Sequence, residues 1–244
     1  MNYRPREFWD QRLSQQFDLR GTGETGLSLA YNRACYRLRH DVLEHTLARH
    51  HVDPRGRSVL DVGCGTGFFT DYYLSRGARV TGMDIAPTSI ARLAERHPAA
   101  RFVLADVSET APPERYDLVN AFDVLYHIVD DARWERALGN LCDAVTPGGW
   151  LLVTDAFPTR EQPAREAAHN RMRSLARYVP ALRAHDVVPV RTYPTHVLLN
   201  RHLGPFRVLN RLPGALLVAD QTLLALGFGR GDGVNKLLVA QKRG

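Results

Sequence analysis

What this sequence has little of narrows it first. It holds three cysteines, Cys35, Cys64 and Cys142, scattered without metal-ligand spacing. An odd number excludes a framework in which every thiol is paired, so they read as reduced, packed side chains, and no metal site is expected. No run of about 18 apolar residues occurs, so no membrane span is expected. The opening Met1-Asn2-Tyr3-Arg4-Pro5-Arg6 lacks the apolar core of a secretory signal, which points to the cytoplasm. Internal repeats, low-complexity tracts and long like-charge blocks are missing too, which sets aside solenoids and charged tails. Lysine occurs only at Lys236 and Lys242.

What is present is the composition of an ordinary globular chain. Its 244 residues are 44% apolar and 24% charged, enough for one large core and a cap. The net charge of +6 is unevenly placed: residues 158–244 hold 14 Lys+Arg against 5 Asp+Glu, and residues 1–157 hold 18 against 21. A basic C-terminal third suits an acidic substrate, nucleic acid or an anionic membrane face, or is a solvated surface.

The chain is organised around Val59-Leu60-Asp61-Val62-Gly63-Cys64-Gly65-Thr66-Gly67-Phe68-Phe69. A short apolar run reads as a buried parallel strand over 58–62, three alternating glycines follow, and a helical pattern begins at Phe68. Glycines at such a loop free the backbone and let a ligand lie against the main chain, beyond the carboxyl end of the strand. The dinucleotide fingerprint needs its third glycine three residues after the second, where Phe68 stands, so the pattern is G-x-G-x-G preceded by Asp61.

Around this unit the chain alternates strands and helices in the manner of a parallel sheet covered on both faces. Helices are expected over 3–19, with Phe8, Trp9, Leu13 and Phe17 on one side, and over 28–49, separated by a glycine-rich loop at 21–26. Strands are expected at 58–62, 78–84, 101–105, within 116–124 and at 150–154, with helices at 68–76, 87–97 and 131–145. Past Ala156 a helix is expected over 161–178, a sixth strand over 186–192 and a seventh over 235–241. The Leu-rich insertion 194–231 is too long for a bare loop; its helices either lie over the pocket mouth or pack against the N-terminal cap. The expected fold is α/β: a Rossmann-like, doubly wound, seven-stranded, mostly parallel sheet with an N-terminal helical cap at 1–56. The core spans 57–244, with 194–231 as a lid or substrate insertion before the last strand.

Three further features accompany the glycine loop. Asp84 ends the second strand, Asp106 ends the third, and Asn120-Ala121-Phe122-Asp123-Val124-Leu125-Tyr126-His127 follows the fourth. Together with the loop, and in this order, they resemble the motifs of the class I S-adenosylmethionine-dependent methyltransferases. The resemblance covers about 57–154. It implies S-adenosylmethionine as cofactor, held by Asp61, Gly63, Cys64, Gly65, Gly67, Asp84, Ile85, Asp106, Val107 and Phe122. Asp84 would accept from the ribose hydroxyls, Asp106 from the adenine amino group, and Phe122 would flank the methionine part. The Ala184-His185-Asp186 turn departs from the family, which often has glycine before the sixth strand.

The methyl of such a cofactor is already electrophilic, so the protein must align a nucleophile and exclude water. If that nucleophile is a hydroxyl, a histidine is the suitable base near neutral pH. His127 is the candidate, at the ligand end of the sheet; His185, His196 and His202 are weaker ones. Tyr31, Asn32 and Arg33 are expected to close over the methionine end. The expected activity is methyl transfer to a small molecule, foremost O-methylation of an apolar or aromatic secondary metabolite, with Tyr193 and Phe206 suggesting that character. N- or C-methylation, a nucleic-acid methyltransferase using the basic third, and a repurposed cofactor-binding protein are the alternatives. No Asn-Pro-Pro-Tyr type sequence follows the fourth strand, which disfavours nucleic acid; a homodimer is left open.

Overall fold

The β-favouring run before the glycine loop folds as β1 (Ser58–Val62), buried on both sides. The loop delivers the chain into helix α4 (Phe68–Ser75), and the pattern repeats through β2 (Arg79–Asp84), α5 (Pro87–Arg96), β3 (Arg101–Leu104) and β4 (Tyr116–Ala121). Then come α6 (Asp131–Asp143), β5 (Val145–Asp155), α7 (Leu175–Arg183), β6 (Val187–Pro194), α8 (Pro213–Ala225) and β7 (Lys236–Lys242). Three helices precede the sheet: α1 (Pro5–Gln15), α2 (Leu19–Thr22) and α3 (Leu29–Arg49). This computed structural model describes residues 3–161, 169–199, 204–232 and 234–244, without the side chains of 204–207.

The seven strands form one sheet in the order β3-β2-β1-β4-β5-β7-β6. β1, β2, β3, β4 and β5 pair in parallel, and β7 runs antiparallel between β5 and β6. The order reverses at β1, so the carboxyl ends of β1 and β4 open a crevice where ligands of such sheets bind. Leu60, Val62, Val119 and Val153 face one side, packed on Trp134, Leu138 and Leu141 of α6 and Leu182 of α7. Val59, Val80, Leu118 and Leu152 face the other, against Phe69 and Tyr73 of α4 and Leu43 and Leu47 of α3.

Several boundaries differ from the sequence expectation. α1 stops at Gln15, and Phe17 falls outside it. Gly21 and Thr22 belong to the short α2, capped by Asp18 through the Arg20 N–H. β5 begins at Val145 and passes through Pro147-Gly148-Gly149 as an irregularity opposite Tyr116 and Leu118, with Gly148 at φ +76°. The helix expected over 161–178 starts at Leu175; residues 162–168 of that expectation lie outside the described residues. Asp186 takes φ +58°, supplying at the turn before β6 the left-handed conformation that the family often gives to glycine.

One side of the described part of 194–231 packs as core. Leu199 and Leu216 meet Tyr31, Ala34, Cys35 and Leu38 of α3 in a separate apolar cluster. None of its described residues lines the cavity beside the glycine loop.

Candidate functional site

A cavity of about 340 Å³ opens beyond the carboxyl ends of β1, β2 and β4, within the range of small-molecule sites. Asp61, Gly63, Cys64, Gly65, Asp84, Ile85, Asp106, Val107, Phe122 and His127 all line it. Gly67 does not, although it shares the loop.

The three glycines serve different ends. All have positive φ. A Cβ on Gly65 would come within 2.6 Å of Thr22 Cγ2, because α2 presses on the loop, whereas one on Gly67 would meet Leu93 Cδ2 of α5 at 2.5 Å. Gly65 lets the cap approach the ligand side, and Gly67 lets α5 pack behind it.

The loop's backbone groups are held by β2 and its flanks. Gly63 N–H donates to the Met83 carbonyl at 2.7 Å. Asp84 accepts from the Gly65 N–H through Oδ2 and from the Ala86 N–H through Oδ1, each at 2.8 Å. Ser89 Oγ donates to the Gly65 carbonyl at 2.6 Å. Burial pushes the Asp84 carboxyl up, against the backbone hydrogen bonds that favour its charged form. Cys64 Sγ sits 3.7 Å from Ser89 Oγ; burial, then the Asp84 and Asp61 charges, push its thiol well up, which makes it an inert packing group.

Asp61 lies beneath the loop, accepting from Thr70 Oγ1 at 2.7 Å and Asn120 Nδ2 at 2.8 Å. It thereby ties α4 and β4 to β1. Desolvation pushes its carboxyl up to about 6. Asp106 lines the same cavity. Its Oδ1 accepts from the Ser108 N–H at 2.8 Å and Ser108 Oγ at 2.6 Å, and its Oδ2 from Arg133 Nη2 at 2.6 Å. Oδ2 therefore keeps acceptor capacity toward the cavity.

The rest of the lining comes from the cap and the segment after β4. Tyr3, Pro5, Trp9 and Leu13 line it from the N-terminal side, Thr22 and Tyr36 from α2 and α3, and Val124, His127 and Ile128 from below. Tyr36 Oη donates to Thr22 Oγ1 at 2.7 Å. Arg12, over the Trp9 ring, donates to the carbonyls of Arg20 and Gly23 and so fastens α1 to α2. Asp123 stands at φ +58°, a conformation that needs external support in a residue other than glycine. Thr154 Oγ1 accepts from its N–H at 2.7 Å, and Arg39 holds its carboxylate at 3.0 Å.

His127 is half-buried in this wall. Its Nδ1 donates to the His169 carbonyl at 2.9 Å, so Nε2 is the acceptor of the neutral ring. Trp9 meets the imidazole edge-on, with ring centres 4.9 Å apart. Desolvation holds the imidazole down at about 4, so it is uncharged at neutral pH.

Other sequence candidates lie elsewhere. Tyr31 is buried beneath α8, Arg33 is exposed, and Asn32 closes the turn at Glu24. The residues that do reach the cavity from α3 begin one and a half turns later, at Tyr36. His185 pairs with Asp143 at 2.9 Å, beyond the opposite end of the sheet. His196 is buried beside Thr195. Tyr193 meets His50 at 2.9 Å, away from the cavity; the side chain of Phe206, and His202, lie outside the described residues. Thr22, Tyr36, Asp123 and Arg133 also line the cavity and were not singled out; Asp123 lies within the 120–127 motif, whereas no local pattern in the sequence marks the other three. Among the described residues no cluster of potential metal ligands occurs, and no helix is long and apolar enough to cross a membrane.

Asp84, Asp106 and Val107 share the lining of one cavity with Gly63 and Gly65. Comparison with known proteins points the same way. Residues 30–191 match the family model described as a methyltransferase domain. A ubiquinone biosynthesis O-methyltransferase of Stutzerimonas stutzeri (strain A1501) is 36% identical over 110 residues, covering 43% of this chain and 46% of that protein. The chain thus spans about half the length of the curated relatives it matches. Magnesium protoporphyrin IX methyltransferase from Synechocystis PCC 6803, with S-adenosylmethionine bound, superposes with a TM-score of 0.65 at 16% identity, covering 97% and 94% of the two chains. The [4+2]-cyclase SpnF superposes with a TM-score of 0.56 at 20% identity, covering 83% and 80%. These structural likenesses concern the fold alone, while the family model spans more than half the sequence: the chain belongs to the methyltransferase-domain family.

Proposed function

We propose that the protein transfers the methyl group of S-adenosylmethionine to a hydroxyl of an uncharged, apolar or aromatic small molecule. The observation that carries this reading is the cavity's lining, which joins the glycine loop, Asp84 and Asp106 to Trp9, Leu13, Tyr36 and a neutral histidine. S-adenosylmethionine supplies an activated methyl, so the protein's own task is binding, orientation and exclusion of water. Asp84 takes the ribose hydroxyls, Asp106 the adenine amino group, and Gly63, Gly65 and Phe122 the methionine portion. Ile85 and Val107 flank the nucleoside, and Asp61 keeps the loop in place.

Trp9, Leu13, Tyr36 and Ile128 hold the acceptor, and His127 Nε2 accepts the hydrogen bond of its hydroxyl. Charge supports an uncharged acceptor. Asp123 is compensated by Arg39, His127 is neutral, and none of the basic residues of 158–244 lines the cavity. That last point supports a small molecule over nucleic acid.

The test is isothermal titration with S-adenosylhomocysteine, with NAD as control, followed by transfer of labelled methyl to panels of phenols, alcohols and amines. Binding of the homocysteine product with labelled methyl ethers supports the reading. Labelled amines would move the acceptor to nitrogen, and binding without transfer to any acceptor would favour a repurposed site such as the fold of a cyclase permits.

A further inference from the structure

Residues 204–231 contain Arg207, Arg211 and Arg230 and a single acid, Asp220. Asp220 is buried, and its carboxylate accepts the N–H groups of Val197, Leu198 and Leu199 at 2.6 to 3.1 Å. That clamp, with Leu216 against α3, fixes one side of α8. The opposite side presents an apolar row to solvent. Ala215, Val218 and Thr222, flanked by the cap residues Leu212 and Leu226, step by three or four along the chain, and the Thr222 hydroxyl is turned back onto the Val218 carbonyl. Val218 is 62% exposed and Leu226 70%, and past the helix end Phe228 is 54% exposed. Gly227 and Gly229, both at positive φ, turn the chain tightly on either side of Phe228. Val208, Leu209 and Leu212 extend the apolar surface toward the 3-10 segment Gly204–Arg211.

We propose that this stripe docks the protein on an anionic lipid surface, with Val218, Leu226 and Phe228 entering the interface and Arg211 and Arg230 meeting the headgroups. Shallow burial of an apolar row combined with basic flanks is the pattern of interfacial helices. Charge separates this occupant from the others. Two copies meeting stripe to stripe bring arginines together, while the stripe's one acid is buried. Of the nearby acids, Asp41 is paired with Arg37, while Asp232, held by the Thr159 N–H and hydroxyl, stays charged and offsets one of the three arginines. Valine, leucine and phenylalanine give nothing to a nucleic-acid backbone. The stripe lies outside the cavity, so the inference does not rest on the function proposed above.

The experiment is co-sedimentation of the full chain with phosphatidylcholine vesicles, with and without about one third phosphatidylglycerol. Alongside run sedimentation equilibrium without lipid and titration with S-adenosylhomocysteine. Binding only to the anionic vesicles, lowered by salt, is expected. Val218→Asp/Leu226→Asp should lower the bound fraction at least about tenfold, and Arg211→Gln/Arg230→Gln by roughly three- to tenfold. S-adenosylhomocysteine affinity should stay unchanged in both variants, which shows that they fold. Absence of binding to anionic vesicles, or equal binding by the variants, overturns the proposal. A lipid-free dimer that Val218→Asp/Leu226→Asp dissolves would assign the stripe to a second copy and overturn it as well.

Discussion

Replacing Asp84 by asparagine tests the proposed cofactor site, because the structure shows which donors its carboxylate accepts. A carboxylate offers about four acceptor sites, and two are taken by the N–H groups of Gly65 and Ala86, both at 2.8 Å. The Ile85 N–H and Ser89 also bear on the carboxylate, and the acceptor capacity they leave is what the ribose hydroxyls would use. Asparagine keeps the shape but turns one oxygen into a donor. In either orientation one of the two backbone N–H groups then faces an NH₂, a cost of about 1 to 3 kcal/mol. The same change removes a desolvated charge, which offsets part of that loss in the free protein. On the ligand side, one charge-assisted hydrogen bond is lost and the other becomes neutral, worth roughly 2 to 3 kcal/mol, or about 30- to 150-fold in affinity. Apo stability should therefore move little, with Tm falling by less than about 10 °C, while the Kd for S-adenosylhomocysteine rises steeply. Calorimetry of the apo protein and isothermal titration read the two quantities separately. A lowered Tm with a Kd within about threefold of wild type would refute the ribose assignment and leave Asp84 as a strap for the glycine loop.

Asp61 predicts a pH signature. Desolvation raises its carboxyl from 3.8 to about 6, so the folded state favours the protonated acid. Its contribution to stability is complete below about pH 4 and is lost as pH rises through 6. Urea unfolding of wild type against Asp61→Asn should show wild type losing roughly 2 to 2.5 kcal/mol relative to the variant between pH 4 and pH 7, and a flat difference contradicts the assignment. Gly65→Ala places a side chain at φ +51° and 2.6 Å from Thr22 Cγ2, costing about 1 to 3 kcal/mol. Thr22→Ser in the same chain should recover part of the lost S-adenosylhomocysteine affinity, and no recovery would remove the contact as the cause. His127→Ala should lower kcat about 10- to 100-fold, the low end for proton transfer because the ring is weakly basic, with product affinity unchanged. In wild type no acidic limb from His127 should appear until pH falls toward about 4.

Much of the fold was legible because its signals are local. The boundaries of β1 matched, and those of the flanking strands and helices fell within a few residues, since side-chain period, glycine and proline act through neighbouring residues. The acids at the ends of β2 and β3 were readable for the same reason: a parallel sheet brings every strand's carboxyl end to one edge. The long N-terminal helix was legible too, capped as it is by Ser28 through the Tyr31 N–H.

Which face of that helix looks into the cavity was not legible. Apolar and aromatic residues lie on more than one side of α3, and the choice depends on α8, nearly two hundred residues later in the chain. Once Leu199 and Leu216 cover Tyr31 and Leu38, Tyr36 and Arg39 are turned toward the glycine loop and Asp123. Gly65 and Gly67 show the same limit: identical residues two apart, one packed under Thr22 and lining the cavity, the other under Leu93 and away from it, because α2 and α5 approach from different sides. The sequence by itself determined the sheet, its crevice and the polar groups at its edge, through local backbone chemistry. Tertiary packing alone decided which cap residues complete the cavity, because those contacts depend on the relative placement of segments distant in sequence.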